Sequence, residues 1–276
     1  MNMIDLHVHS CHSDGTLTPS ELVELAVSKN LAAFALTDHD TVNGIPEALR
    51  AAEGLSLKVI PGVELSTDYN GTEVHILGYQ IDYTDIDLLR TLEDIVKERD
   101  NRNIKMCNKL CEAGYPITYE ELMKEYGDHV ITRAHFAKFL VGRGAIDSID
   151  AAFRGPLNNH SPYFVTRKYL KPEEAVELII SKGGIPVLAH PLLYKLSVSE
   201  IHELCKTLCV CGLKGIEAKY SSNKGNDEAF VKKVAKEHGL FITGGSDFHG
   251  ANKPHIQLGT GMGNLYVPET LLENLK

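Results

Sequence analysis

The sequence predicts an α/β fold, a barrel of seven strands alternating with helices and interrupted by a helical cap. Three observations predict it. Seven short apolar runs, at 4–9, 32–37, 57–64, 73–79, 185–190, 214–220 and 240–247, read as strands. Amphipathic helices with definite start signals separate several of them, and the alternation fails only between about 84 and 170. Strand followed by helix, repeated, implies a parallel sheet, and seven strands suffice to close one.

The elements follow in order. After the first strand, Thr18 caps a helix with Pro19 at its first position and Glu21 at its third, and Leu22, Leu25 and Ala26 form the buried stripe. The second, third and fourth strands end near Thr37, Glu64 and Tyr79. From 84 to 170 helical stretches follow one another, at 86–103, 134–142 and 148–153, with no convincing strand. The expected division is therefore a barrel of residues 1–83 and 171–276 with a cap of 84–170, placed where it can cover the barrel mouth. Pro172 opens the next helix, which runs to a Gly183-Gly184 stop, and Ser197 with Glu200 forms a second capping box.

Length and composition suit this reading. A chain of 276 residues exceeds the usual domain of about 100 to 200, as one core with a sizeable insertion would. With 43% hydrophobic and 24% charged residues it is an ordinary globular composition. No apolar run reaches the roughly 18 residues of a membrane span, and the start MNMIDLHVHS has neither the basic head nor the apolar centre of a signal peptide, so a cytoplasmic location is expected. A formal charge of -9 is a poor starting point for a protein that coats duplex nucleic acid by neutralising phosphates, but says nothing against one that takes a small anion through bound metals. The six cysteines form no CxxC pair and read as reduced thiols, with Cys205, Cys209 and Cys211 packing in an apolar helix.

Histidine carries the chemistry. His7 and His9 close the first strand, and residues two apart on a strand point the same way, so both imidazoles can reach one ion. Asp14 follows in a glycine-containing turn; His39 ends the second strand, Glu64 the third, His75 lies in the fourth, His190 ends the fifth, and Asp247 and His249 follow the seventh. Strand ends are the functional end of a parallel barrel. A lone histidine such as His75 is more often a hydrogen-bonded core residue than a ligand. Six histidines and three carboxylates converging on one mouth overturn that, because buried carboxylates repel one another unless cations join them. Nine ligands are too many for one ion and suit two or three divalent ions.

These residues resemble the PHP (polymerase and histidinol phosphatase) domain. HVHS with SDG, TDHD, PGVE then His75, and AHP with SDFH occur in the family's order across essentially the whole chain. The resemblance implies a distorted (β/α)7 TIM-like barrel and metal-dependent phosphoesterase activity with Mn²⁺, Zn²⁺, Fe²⁺ or Mg²⁺. It implies one metal on His7, His9, Glu64 and Asp247, a second on Glu64, His75 and His190, and a third on Asp14, His39 and His249. Many family members have histidine where this chain has Asp14. The stretch Ile131 to Phe136 with Ser161 to Val165 is similar to a subgroup acting on nucleotides, including 3',5'-bisphosphates, and in some members short oligonucleotides. Arg133 offers a planar fork for phosphate oxygens, and His135 would bind phosphate or protonate the leaving group.

The expected reaction is in-line attack of water on phosphorus, with metals and Arg133 neutralising the equatorial oxygens and Glu64 shared between two ions. The rivals are a histidinol-phosphate phosphatase, which would share the ligands and differ in the cap, and a non-catalytic metal-binding module, which lost ligands would betray. An amidohydrolase barrel, which also opens with His-x-His, would be expected to bridge its metals with lysine rather than Glu64. Asp38 and Asp40 flank His39, and one of them is expected to orient an imidazole. Arg99 and Arg102 are expected on a solvated helix face, and the remaining histidines, such as His202 and His238, at the surface or behind the ligands.

Overall fold

In a computed structural model, described for residues 3–127, 129–166 and 170–276, all seven expected strands join one sheet. They are β1 (Met3–Val8), β2 (Leu31–Leu36), β3 (Lys58–Tyr69), β4 (Thr72–Tyr79), β5 (Ile185–Leu188), β6 (Gly215–Tyr220) and β7 (Phe241–Gly245), in that order across the sheet. The chain beyond β7 closes onto β1, where His9 N donates to Phe248 O at 3.0 Å and Asp247 N to His7 O at 2.9 Å. Closure brings two backbones together at Gly245, where a Cβ would strike the Cβ and backbone nitrogen of His7. Glycine is required there by close approach.

One strand departs from the parallel sheet expected from the alternation. β4 runs antiparallel to both β3 and β5, whereas the other pairings are parallel. The cause is local: Asn70 and Gly71 have φ of 54° and 83°, the double left-handed turn of a tight hairpin. A parallel crossover needs a dozen or more residues, which this connection lacks.

The helices against the barrel begin as expected. α1 (Pro19–Ser28) carries the Thr18 and Glu21 capping box, α2 (Ile45–Ala51) follows β2, and α8 (Val198–Cys211) carries the Ser197 and Glu200 box. The large core joins strand residues Phe34, Leu36, Val63 and Leu65 to helix residues such as Leu22, Ala26, Leu204 and Cys205. Cys205 thus packs as expected. A second core holds Ile4, Leu6, Ala33, Ile60, Leu77 and Val187 together with Val267 and Leu275 of the C-terminal segment. Ile60 and Leu77 lie on the strand face that also carries Glu64, so this core is the barrel interior beneath Glu64.

Between β4 and α7 (Pro172–Ser181) stand α3 (Ile86–Glu112), α4 (Tyr119–Tyr126), α5 (Arg133–Gly142) and α6 (Ile149–Arg154). Their own core includes Met106, Leu110, Leu122, Phe136, Leu140 and Leu157, while the first turns of α3 place Leu88 and Leu92 in the barrel core. Midway along α3, Arg99 and Arg102 are only 3% exposed, which corrects the solvated face expected of them. α3 leaves one core and enters another at this point, and Arg99 bridges the step by pairing with Asp40 and donating to Ser66 Oγ at 3.0 Å. A polar run on a helix reads as solvated until the surface beneath it is known.

Candidate metal centre

Most candidate ligands are delivered by a strand end or the loop just after it, whereas Glu64 and His75 lie within β3 and β4, because β3 runs on to Tyr69, past the end expected at Glu64. β1 brings His7 and His9, both fully buried, and the Ser10 to Gly15 turn that follows brings Asp14. Gly15 is needed in that turn because a Cβ would run into the backbone of His9. Beyond β2, His39 is paired to Glu64 through the backbone, with Glu64 N donating to Asp38 O at 3.1 Å and Asp40 N to Glu64 O at 3.0 Å. Asp40 and Asp247 both take φ above 50°, a left-handed conformation that Asp tolerates better than most residues and that marks bends beside functional groups.

Glu64 lies at the centre. Its Oε2 is 3.2 Å from His7 Nε2, His9 Nε2 and His39 Nδ1, and its Oε1 is 2.9 Å from His75 Nδ1 and His190 Nε2. Asp247 Oδ1 is 3.3 Å from His9 Nε2 and 3.7 Å from His7 Nε2. Asp14 Oδ1 is 3.1 Å from His249 Nε2, and its Oδ2 is 3.9 Å from His39 Nε2. Ligand atoms fall within 4.8 Å of one another in four overlapping groups: His9, Asp14, His39 and His249; His7, Glu64 and His190; His7, His9 and Asp247; and His39, Glu64 and His75. All nine candidate residues are thus brought together.

Hydrogen-bond partners around the cluster orient it. His7 Nδ1 faces Glu217 Oε1 at 3.1 Å, which turns Nε2 toward Glu64, and Glu217 also accepts from His190 N at 2.9 Å. His249 Nδ1 meets the carbonyl of Asp247 at 2.8 Å, leaving Nε2 for Asp14. Asp247 Oδ2 accepts from Tyr220 at 2.5 Å and from Lys253 at 2.6 Å, so Oδ1 is the oxygen facing the histidines. Of the two aspartates expected to orient an imidazole, Asp38 does so at one remove: it accepts from Ser10 and Ser13, and Ser13 Oγ meets His9 Nδ1 at 3.4 Å, while Asp40 accepts from Ser66 N and Arg99; the carboxylate on His7 Nδ1 is Glu217. An acidic residue between Ile216 and Ala218 in the KGIEAKY strand was the available signal.

Protonation follows from crowding. Burial would raise Glu64, but His39, His7 and His75 hold it well below the usual carboxylate range. Burial likewise opposes ionisation of Asp14, which His249 and His39 hold low, and of Asp247, which Lys253 and His249 hold low. Burial lowers the imidazoles, yet Asp247 and Glu64 carry His9 up to about 9, and Glu64 carries His75 up to about 10. His39, where burial prevails, falls to about 3. In the bare chain, imidazoles such as His9 and His75 favour their protonated forms and offset part of the carboxylate charge, and His39 offsets none. Even so, His7 Nε2, His9 Nε2, His39 Nδ1, Asp14 Oδ1 and Glu64 Oε2 are buried and meet no partner in hydrogen-bonding geometry. Unsatisfied buried atoms of metal-ligating type, aimed at one another, suit divalent cations and little else.

The cap meets this cluster at the start of α5. Thr132 Oγ1 donates to Asp14 Oδ2 at 3.0 Å, and Thr132 N donates to His135 Nδ1 at 3.0 Å, so His135 helps close the helix end. His135 is 4% exposed, and burial lowers it to about 4. Arg133 pairs with Glu73 Oε2 at 2.8 Å, donates to Asn159 Oδ1, and lies 5.4 Å from the ring centre of Phe164. Glu73 and Asn159 also line a cavity of about 530 Å³ that opens beside Arg133 and includes Tyr69, Phe164 and Lys171. Thr132, Glu73, Glu217, Tyr220 and Lys253 are neighbours that sequence reasoning did not single out.

The chain matches the PHP domain over residues 5–152. It is 35% identical over 245 residues to a 5'-3' exoribonuclease of Haemophilus influenzae, covering 89% of each chain. It is 36% identical over 250 residues to a 3',5'-nucleoside bisphosphate phosphatase of Chromobacterium violaceum, covering 90% of this chain and 88% of that one. A solved structure described as a metal-dependent phosphoesterase of Bifidobacterium adolescentis superposes with a TM-score of 0.88 at 28% identity, covering 99% of this chain and 95% of that one. With its barrel, its histidine and carboxylate cluster and these relatives, the chain belongs to the PHP domain family and is a metal-dependent phosphoesterase.

Proposed function

We propose that this enzyme hydrolyses a phosphate ester of a nucleotide, a nucleoside 5'-phosphate or 3',5'-bisphosphate, and that short oligonucleotides are its longer substrates. The observation that carries the reading is the set of buried, unsatisfied ligand atoms around Glu64. His7, His9, Glu64 and Asp247 would hold one divalent ion, Glu64, His75 and His190 a second, and Asp14, His39 and His249 a third, with Glu64 common to two. An imidazole-rich set favours Mn²⁺, Zn²⁺ or Fe²⁺ over Mg²⁺. Bound there, such ions supply Lewis acidity for a phosphoryl group and a water nucleophile at neutral pH.

The cap residues do the rest. Arg133 sits beside His75 through Glu73 and can present its guanidinium to a phosphate oxygen. His135 accepts at Nδ1 from Thr132, so its proton is on Nε2, and burial keeps the ring neutral at pH 7. It can therefore donate a hydrogen bond to a phosphate oxygen but holds no extra proton for the leaving group. The cavity beside Arg133 would take the nucleoside, with Phe164 as an apolar wall. Residues 84–170 act in this reading as a cap on a barrel of residues 1–83 and 171–276, in a cytoplasmic enzyme.

The test is phosphate release with Mn²⁺ over nucleoside 5'-phosphates, 3',5'-bisphosphates, short RNA and histidinol phosphate. Turnover of one of the nucleotide classes well above histidinol phosphate is expected. Turnover of histidinol phosphate alone would overturn the nucleotide reading.

A further inference from the structure

Glu73 presents a paradox if the site binds phosphate. It is a carboxylate beside the arginine proposed as phosphate clamp, where its charge repels an anionic substrate. Its geometry supplies a reason. Glu73 and His75 are two residues apart on β4 and share a face, and Glu73 Oε1 reaches His75 Nε2 at 3.5 Å, a long contact, while His75 Nδ1 faces Glu64 at 2.9 Å. The other oxygen, Oε2, takes Arg133 Nη2 at 2.8 Å, Asn159 Oδ1 accepts from Nη1, and the rings of Phe164 and Phe153 stand 5.4 and 6.0 Å from the guanidinium carbon, with the remaining N–H groups not taken up by these partners.

We propose that Glu73 is a positioning residue that ties the imidazole of His75 to the guanidinium of Arg133, so that one carboxylate sets both the ligand ring and the cap's phosphate clamp. The proposal rests on the reading of His75 as ligand and Arg133 as clamp. A carboxylate on the far nitrogen of a ligating histidine fixes which nitrogen faces the ion and how the ring is turned. A carboxylate on one arm of an arginine leaves the other edge of the fork to the substrate at a set angle. Among the described residues, Glu73 contacts both groups, whereas Glu64, the other carboxylate on His75, meets His75 alone of the two.

Repulsion and positioning predict opposite signs, which makes the test decisive. Glu73→Gln keeps the shape and removes the charge; Glu73→Ala removes the contact, and if it fails to fold the glutamine variant carries the test. In the full chain stripped of metal, Mn²⁺ titration of Glu73→Gln should show one site, the one His75 serves, loosened by about 10-fold or more. In the loaded enzyme, KM for a nucleoside 3',5'-bisphosphate should rise by about 10-fold, with p-nitrophenyl phosphate less affected. With Mn²⁺ saturating, so that the His75 contribution is masked, KM for Glu73→Ala with Arg133→Ala should then be no higher than for Arg133→Ala alone, as expected of two residues acting through one contact. Unchanged Mn²⁺ affinity with a lowered KM would overturn the proposal and leave Glu73 as a repelling neighbour. Fold-losses that multiply in the double variant would overturn the link to Arg133. If Arg133→Ala is itself silent, the clamp reading falls instead, and the Mn²⁺ titration still decides whether Glu73 serves His75.

Discussion

The cluster at the strand ends and the charged edge of the cap contain the same kinds of group and satisfy them in opposite ways. Around Glu64, buried nitrogens and oxygens face one another at 3.2 Å without hydrogen-bonding geometry. At the cap edge, Arg99 is joined to Asp40 and Ser66, Arg133 to Glu73 and Asn159, and His135 to Thr132. The first region is completed by something outside the polypeptide. The second is completed by the polypeptide itself, and in the function proposed for it what it contributes is aim.

The largest effect should come from breaking the first region. Chelation should abolish phosphatase activity and Mn²⁺ should restore it, with a fall in thermal stability while metal is absent, since ions that bind only the folded chain stabilise it. Full turnover by protein shown metal-free by elemental analysis would end this account. Glu64→Gln should cost on the order of 10³-fold or more in kcat, several kcal/mol of transition-state stabilisation, together with metal at two sites. Wild-type metal content in that variant would show that Glu64 is not shared.

Arg133→Ala breaks the second region and should do the converse. Metal content should stay intact while kcat/KM on a nucleotide bisphosphate falls by roughly 10², as loss of a charge-assisted contact implies. An activated ester such as p-nitrophenyl phosphate should suffer less. Equal damage to both substrates would mean that Arg133 holds the fold rather than the substrate.

Smaller effects sharpen the boundary between the regions. Asp14→Ala should lower occupancy of one site and reduce activity by roughly tenfold while the metals around Glu64 stay bound. Thr132→Val removes both the cap of α5 and the hydrogen bond to Asp14, and should cost about 1 kcal/mol in denaturant unfolding. If it also loosens the Asp14 site in a metal titration, cap and cluster are coupled through this hydroxyl.

What could be read in advance depended on the range of the signal. His7 and His9 announce themselves because alternation along one strand places both on one side. The hairpin was equally local: Asn70-Gly71 between two strands is a strong turn signal, and reading the fourth strand as one more parallel repeat passed over it. Glu217 and Glu73 were harder. An acidic residue in a strand reads as an ordinary outward side chain unless the partner facing it is known.

The sequence by itself therefore determined the barrel, the order of its elements and the set of ligand-type residues, because each rests on periodicity or on motifs a few residues long. Only the tertiary structure decided that Arg99 is buried against Asp40, that Glu217 holds His7, and that Glu73 stands between His75 and Arg133. These contacts join residues 59, 210 and 60 positions apart, counting the last from Glu73 to Arg133. No local pattern encodes such pairings. They exist because closing a barrel and laying a helical cap across it bring buried charges within reach of one another, and a buried charge must find a partner.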